Sequence, residues 1–271
     1  MRTAFRHFSD CVALSREHGF GRIEVANRSM QGFSRIYLND AREAREDAVA
    51  AVRAAELIGQ PRAQLLGETL GVFACYELGE MQAARVHLEQ ERRVIRQLGA
   101  RRFEVQNLEM QGRVSLDEGC RGEAAKALRE ALAISREVGT QFCAPKILGA
   151  LSRAVEGSDE RARLLAEGEG LLRLGAVGHN HLWFYRDAIE AMLSARDPAA
   201  VLRYASALEA YTRREPLPWA ELFAARGRAL ARTLQAPADE AIRGELGRVR
   251  TVLLDAGFRH YLAAVDAALA A

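Results

Sequence analysis

The sequence predicts an all-α superhelix in which helical hairpins stack one after another. Blocks of similar residues recur at intervals of about forty and close successive helical stretches: ALSREHG at 13–19, AAELIGQ at 54–60, VIRQLGA at 94–100 and AISREVG at 133–139. Their glycines fall at Gly19, Gly59, Gly99 and Gly139. Apolar residues at helical spacing fill the intervals, and alternating β patterns are almost absent.

Each interval contains two helical stretches, as the third repeat shows. RRFEVQNLEMQGRVSLDEG (101–119) is followed by GEAAKALREALAISREVG (122–139). Ala124 is small enough to let the two helices approach, and Leu128 and Leu132 fill the space between them. One such pair cannot bury its apolar face alone, so we expect the pairs to stack in a row.

Glycine and proline mark the predicted ends of these helices. The block glycines, together with Asn39, Gly79 and Gly119 in mid-repeat, suit the left-handed conformation that ends a helix. Pro61 and Pro145 stand early in the first helix of their pairs, where proline costs no helical hydrogen bond.

Residues 1–18 match the second helix of a repeat whose first helix is missing. We therefore expect Phe5, Phe8, Val12 and Leu14 to be exposed to whatever should precede them. Two interpretations stay open: truncation from a longer array, or a natural cap. Self-association through residues 1–18 is a further hypothesis.

The last third departs from the forty-residue interval but continues the helical pattern. Residues 140–157 predict a first-type helix, and 158–175 a second-type helix with Ser158 as its N-cap. Three later stretches end before prolines, and a helix to Ala256 precedes a short closing helix; the prolines are Pro198, Pro216 and Pro237. The sequence thus divides into repeats at 1–175 and their continuation at 176–271.

This pattern resembles tetratricopeptide repeats, with a small residue at the helix crossing and an Ala-rich second helix. The period is longer than in the usual form, which favours the variety found in bacterial maltose-regulator-type sensors; a HEAT-like array is the competing interpretation. Four phrases resemble the C-terminal region of bacterial adenylate/guanylate cyclase-related AAA-ATPase proteins: QFCAPKILGAL, LLAEGEGLL, GHNHLWFYRDAIEA and ALEAYTRREPLPWAELFAARGRAL. That resemblance implies a sensor or scaffold region, with any catalytic domains upstream.

Composition and motifs exclude several classes of function. The 38 basic residues nearly balance the 36 acidic ones, so no footprint for nucleic acid or anionic membrane is present. The four cysteines form no C-x-x-C pair, and no apolar run is long enough for a membrane span. Neither lysine, Lys126 or Lys146, belongs to a phosphate-binding loop. We expect a cytoplasmic, non-enzymatic protein without cofactor or metal.

The segment GHNHLWFYRD (178–187) concentrates the most chemistry. Histidines two residues apart point to different helix faces, so a metal site is disfavoured. Asn180 is a candidate N-cap, and His179 could pack on Phe184 as a hydrophobic staple. First helices line the concave wall of tetratricopeptide arrays, so the candidate partner-binding residues are His181, Trp183, Tyr185, Arg186 and Trp219.

The leading hypothesis is a non-catalytic interaction or regulatory module that binds a protein or peptide on its concave surface. The alternatives are an enzyme that binds a small molecule or metal at 178–187, and a self-association module. The pattern leaves open whether Trp183, Tyr185 and Arg186 face a groove or the core.

Overall fold

The computed structural model describes residues 1–236 and 239–270, and their regular structure is entirely helical. The α-helices in these residues are α1 (Arg2–Glu17), α2 (Gly21–Ile36), α3 (Ala41–Leu57), α4 (Pro61–Leu78), α5 (Met81–Leu98), α6 (Glu104–Asp117), α7 (Arg121–Glu137), α8 (Ala144–Ala154), α9 (Ser158–Arg173), α10 (Gly178–Ser194), α11 (Pro198–Thr212), α12 (Pro218–Thr233), α13 (Glu240–Ala256) and α14 (Leu262–Ala270). Consecutive helices pack as hairpins. The predicted all-α helical-repeat superhelix is confirmed.

The odd-numbered helices from α1 to α13 form the outer layer. In α3, alanines spaced three and four residues apart make one buried stripe: Ala41, Ala44, Ala48, Ala51 and Ala55. Alanine at these positions lets α3 lie close to its inner neighbours, and the remaining faces carry charged residues. Ala84 and Ala124 hold the equivalent buried positions in α5 and α7.

The turns follow the glycine pattern of the sequence. Gly79 ends α4 in the left-handed conformation, at φ 77°, and Asn39 adopts φ 67° after α2. Each end satisfies helix carbonyls that would otherwise lack partners. The predicted turn positions are therefore confirmed, and Pro61 and Pro145 do lie in the first turns of α4 and α8. Pro237 lies outside the described residues.

The even-numbered helices α2 to α12 form the inner layer and are buried on more than one face. Fourteen of the eighteen residues of α4 are buried. The inner helices also contact one another across the centre, where Trp183 of α10 donates a hydrogen bond to the Tyr37 hydroxyl after α2, at 2.8 Å. First helices of the pairs thus line the inner wall, but side chains fill most of the space between them.

The C-terminal helices return to α3 and to the end of α4, and so close the superhelix. Arg42 of α3 donates hydrogen bonds to the carbonyl oxygens of Asp255 and Leu254, at 3.0 and 3.3 Å. His260, in the short 3₁₀ turn after α13, packs against Gly79. One cluster of buried apolar residues contains members from both predicted segments, 1–175 and 176–271, so the two segments share an apolar core.

Three local predictions were wrong. Helix α10 begins at Gly178 with Val177 at the N-cap, so the buried Asn180 lies inside the first turn and donates to the Val177 carbonyl at 3.2 Å. Helix α9 begins at Ser158 itself, with Gly157 at its N-cap. In α1, Val12 is buried and Phe5 and Phe8 are half-buried, whereas Leu14 is 55% exposed as expected.

No helix among the described residues combines the length and the apolar character that crossing a membrane requires.

A glycine in α9 sets how closely α9 and α10 approach. A Cβ atom at Gly168 would lie 2.2 Å from Cε2 of Phe184, whose ring is fully buried. We expect Gly168→Ala to lower the free energy of unfolding by about 1–3 kcal/mol, because the ring has no free space to enter. Gly170→Ala is the matched control: its Cβ meets only an Arg173 side-chain atom at 3.9 Å.

The control should gain up to about 1 kcal/mol from the higher helix propensity of alanine. Urea denaturation measures both variants. Equal stability of the two would contradict the close approach.

Candidate functional site

A cluster of charged side chains lies where the inner helices meet; most of them are fully buried, and the Asp117 and Arg153 side chains are 15% exposed. We call it the ionic cluster; it comprises Glu77, Glu109, Arg113, Asp117, Lys146, Arg153, Arg186 and Asp187. Four inner helices, α4, α6, α8 and α10, contribute to it. Charges removed from water in this way are tolerated only when they pair with one another.

Helix α6 organises one half of the cluster. Glu109 and Arg113 lie one helical turn apart, and Arg113 Nε donates to Glu109 Oε1 at 2.8 Å. The same guanidinium reaches two other helices: its Nη1 lies 2.7 Å from Asp187 Oδ2, and its Nη2 donates to the Lys146 carbonyl oxygen at 3.0 Å. The Lys146 ammonium pairs with the other oxygen of Glu109.

Arg186 of α10 organises the other half. Its Nη1 donates to Glu77 Oε1 at 2.8 Å and to the Tyr261 hydroxyl at 2.7 Å. Its guanidinium carbon lies 4.1 Å from the centroid of the Trp183 ring, a cation–π contact in a desolvated setting. Arg186 therefore ties α10 to α4 and to the C-terminal turn.

The carboxyl groups of the cluster differ in the direction in which their surroundings shift their pKa values. Burial opposes ionisation of Asp187, but Arg113 and Arg186 outweigh burial and hold its pKa below the usual value. The pKa of Glu109 is lowered in the same way, because Lys146 and Arg113 outweigh its burial. At Glu77 burial dominates the attraction of Arg186 and raises the pKa. Glu77 is thus the carboxyl group whose charge is least stabilised.

Aromatic rings pack against the Arg113 and Arg186 guanidinium groups of the cluster. Trp183 and Trp219 have no exposed surface, and their ring centroids are 5.8 Å apart. Phe73 meets Trp183 edge to face at 5.3 Å. Rings packed in this way supply large apolar contact around the charges.

One inner cavity remains beside this packed centre. Its volume is about 280 Å³, and α1 and the inner helices α2, α4, α6, α8 and α10 all contribute to its lining. The apolar lining includes Ala4, Phe8, Phe33, Leu66, Phe73 and Phe103. The cavity reaches the surface at Met30, which is 38% exposed.

Polar groups line part of this cavity. Lys146 and His179 both face it, and Lys146 joins it to the ionic cluster through Glu109. Burial and the neighbouring Lys146 lower the pKa of His179 to about 4, so its ring is neutral at neutral pH. Tyr37 also lines the cavity, and its hydroxyl accepts from Trp183. These groups provide hydrogen-bond donors beside the apolar side chains, and Ser34, Thr69 and Gln106 also line the cavity.

The five sequence-predicted binding residues separate into two groups. Trp183, Arg186 and Trp219 are fully buried at the centre, so they have no surface to offer a partner in this conformation. The open question of groove or core is thereby answered as core for Trp183 and Arg186. His181 and Tyr185 are half-buried on another side of α10, where His181 stacks on Tyr211 at 4.1 Å.

We did not predict from the sequence that Lys146 and His179 line the same cavity. His179 was assigned to a staple with Phe184, but it faces the inner cavity instead. The available signal was a lysine within the apolar run APKILGAL, because a charge inside a buried helix needs a partner elsewhere. No spacing rule connects residue 146 to residue 109 or to residue 179.

His179 and His181 diverge, the first toward the inner cavity and the second onto Tyr211. Within residues 1–236 and 239–270, no three His, Cys, Asp or Glu side chains are grouped so as to hold a metal ion.

Comparison with known proteins does not assign this chain to a family. A scan against protein-family models found no match to this sequence, and a search of curated proteins also found no match.

His260 makes the stability of the closed superhelix dependent on pH. Burial lowers its pKa to about 3, and its ring lies 4.0 Å from Asp117 and packs against Tyr76. The unfolded chain takes up this proton below pH about 6.5, whereas the folded chain does not. The free energy of unfolding should therefore fall as pH drops from 6.5 toward 3, by about 2 kcal/mol at pH 5 from this residue.

Urea titrations at pH 7 and pH 5 test this dependence. His260→Gln should lose about that part of the difference between the two pH values. His7→Gln, at an exposed position of α1, should keep the parent's pH dependence. An unchanged dependence in His260→Gln would contradict the assignment.

Proposed function

We propose that this chain is a non-catalytic, tetratricopeptide-like regulatory module that recognises its ligand at the inner cavity. This proposal is supported by the packing of side chains in the space that the inner helices enclose. Aromatic and charged side chains occupy the centre of the superhelix, and the inner cavity is the space left beside them.

A filled centre changes the mode of recognition from that of an open array. An extended peptide needs a continuous groove along the inner helices, and the buried Trp183 and Trp219 occupy that path. A cavity of about 280 Å³ is close to the lower limit of ordinary small-molecule sites, about 300 Å³. Its size and apolar lining favour a small molecule or a single anchoring side chain.

Larger grooves elsewhere support recognition less well. One of about 500 Å³ lies between α12 and α13, and one of about 590 Å³ lies along α5, α6 and α7. Arg and Glu side chains that are partly exposed line much of both grooves, and in the first of them Arg232 pairs with Glu245. Such solvated pairs contribute little binding energy.

The biological setting rests on the resemblance of the quoted sequence phrases alone. In that setting the module would be the sensor or scaffold region of a bacterial cyclase- or ATPase-type signalling protein. Ligand binding would act through the curvature of the superhelix, because the cavity lining comes from both early and late inner helices.

Photo-crosslinking tests recognition at the inner cavity. Benzoylphenylalanine at Met30, on the cavity rim, should capture a component of the source organism's lysate, detected as a mass increase of the chain. The same group at Val252, which is 42% exposed in the groove between α12 and α13 (the outer groove), should not capture that component. Filling the cavity by Leu66→Trp should abolish capture at Met30. No adduct at Met30, or one unaffected by Leu66→Trp, would reject the proposal.

A further inference from the structure

The ionic cluster pairs four cations with four carboxyl groups. Its cations are Lys146, Arg113, Arg153 and Arg186, each within 3.4 Å of a carboxylate oxygen. Asp117, Asp187 and Glu109 have pKa values held below the usual ones, despite burial, by the neighbouring cations. Glu77 is the fourth carboxyl group, and burial raises its pKa. Glu109 is the carboxylate that pairs with Lys146, and Arg113 shares it.

Lys146 is the cation of the cluster that lines the inner cavity. Its ammonium group has three N–H donors, and its ion pair is with Glu109. His179 stands beside it as a neutral ring that can donate one further hydrogen bond. The Phe33, Leu66 and Phe103 side chains offer a bound molecule only apolar contact.

We propose that the inner cavity binds a small amphipathic carboxylate, whose head accepts hydrogen bonds from Lys146 and His179 while its apolar chain lies among Phe33, Leu66 and Phe103. This inference rests on the proposed function and names the ligand class for the same site. A cationic head would meet the Lys146 ammonium without a free carboxylate, since Glu109 is already shared by Lys146 and Arg113. A longer peptide would need the space that Trp183 and Trp219 fill.

Titration calorimetry with three probes of equal chain length tests the head group on the unmodified protein. Decanoate should bind, decan-1-ol should bind roughly tenfold or more weakly because it lacks the charge, and decylammonium should not bind measurably. All probes are used below their micelle concentrations. Decylammonium binding as tight as that of decanoate would overturn the proposal without any variant.

Variants then test the location. Leu66→Trp should abolish decanoate binding by filling the cavity, and Lys146→Met should weaken it roughly tenfold to a hundredfold. Val252→Trp adds the same bulk at an exposed position of the outer groove and should bind as the parent does. Circular dichroism checks that each variant is folded. Full decanoate binding by folded Leu66→Trp would overturn the assignment of the site.

The two proposals fail in different ways. Cavity-dependent crosslinking at Met30 without decanoate binding would reject the carboxylate class and leave recognition at the inner cavity in place. If neither crosslinking nor decanoate binding occurs, both proposals are rejected.

Discussion

The structure depends on pairing charges that four inner helices bury in one place. An isolated guanidinium or carboxylate in this interior would cost several kcal/mol. Asp187 contacts Arg113 and Arg186, so α6 and α10 must meet in one register to satisfy it. Arg186 then requires Glu77 from α4 and the Tyr261 hydroxyl from the C-terminal turn. The ionic cluster thereby fixes the closed form of a superhelix whose repeats could otherwise stack with variable curvature.

Closure also determines where a ligand can bind. Once α10 lies against α2 and α4, the rings of Trp183 and Trp219 fill the space that an open array would leave as a groove. The inner cavity lies beside this packed centre. Lys146 belongs to both regions, since it lines the cavity and its ammonium pairs with Glu109. Occupation of the cavity would therefore be felt directly by the cluster that sets the curvature.

The sequence predicted the helices well because their signals are local. Glycines at helix ends, the alanine at the crossing and prolines in first turns each act within a few residues, so the order and type of the helices followed from them. Which residues meet at the centre could not be predicted, because those contacts join distant positions: Trp183 meets Tyr37, and Arg186 meets Glu77. The aromatic and charged residues of GHNHLWFYRD suggested a binding surface, yet the same residue types build a buried cluster when closure supplies partners. Gly168 shows the converse, since only the nearby Phe184 ring explains a glycine within α9.

Buried charge pairing, rather than apolar packing alone, holds the superhelix closed. The most direct test is the urea denaturation of Asp187→Asn, which keeps the shape of the side chain and removes its charge. Tryptophan fluorescence reports the transition at the right place, because Trp183 and Trp219 both lie against Arg186. We expect Asp187→Asn to lower the free energy of unfolding by about 3–5 kcal/mol, since Arg113 and Arg186 would lose a buried counter-charge. Asp266→Asn, which removes the charge of an exposed pair with Arg250, should cost less than about 1 kcal/mol. A loss at Asp187 no larger than that at Asp266 would contradict the claim.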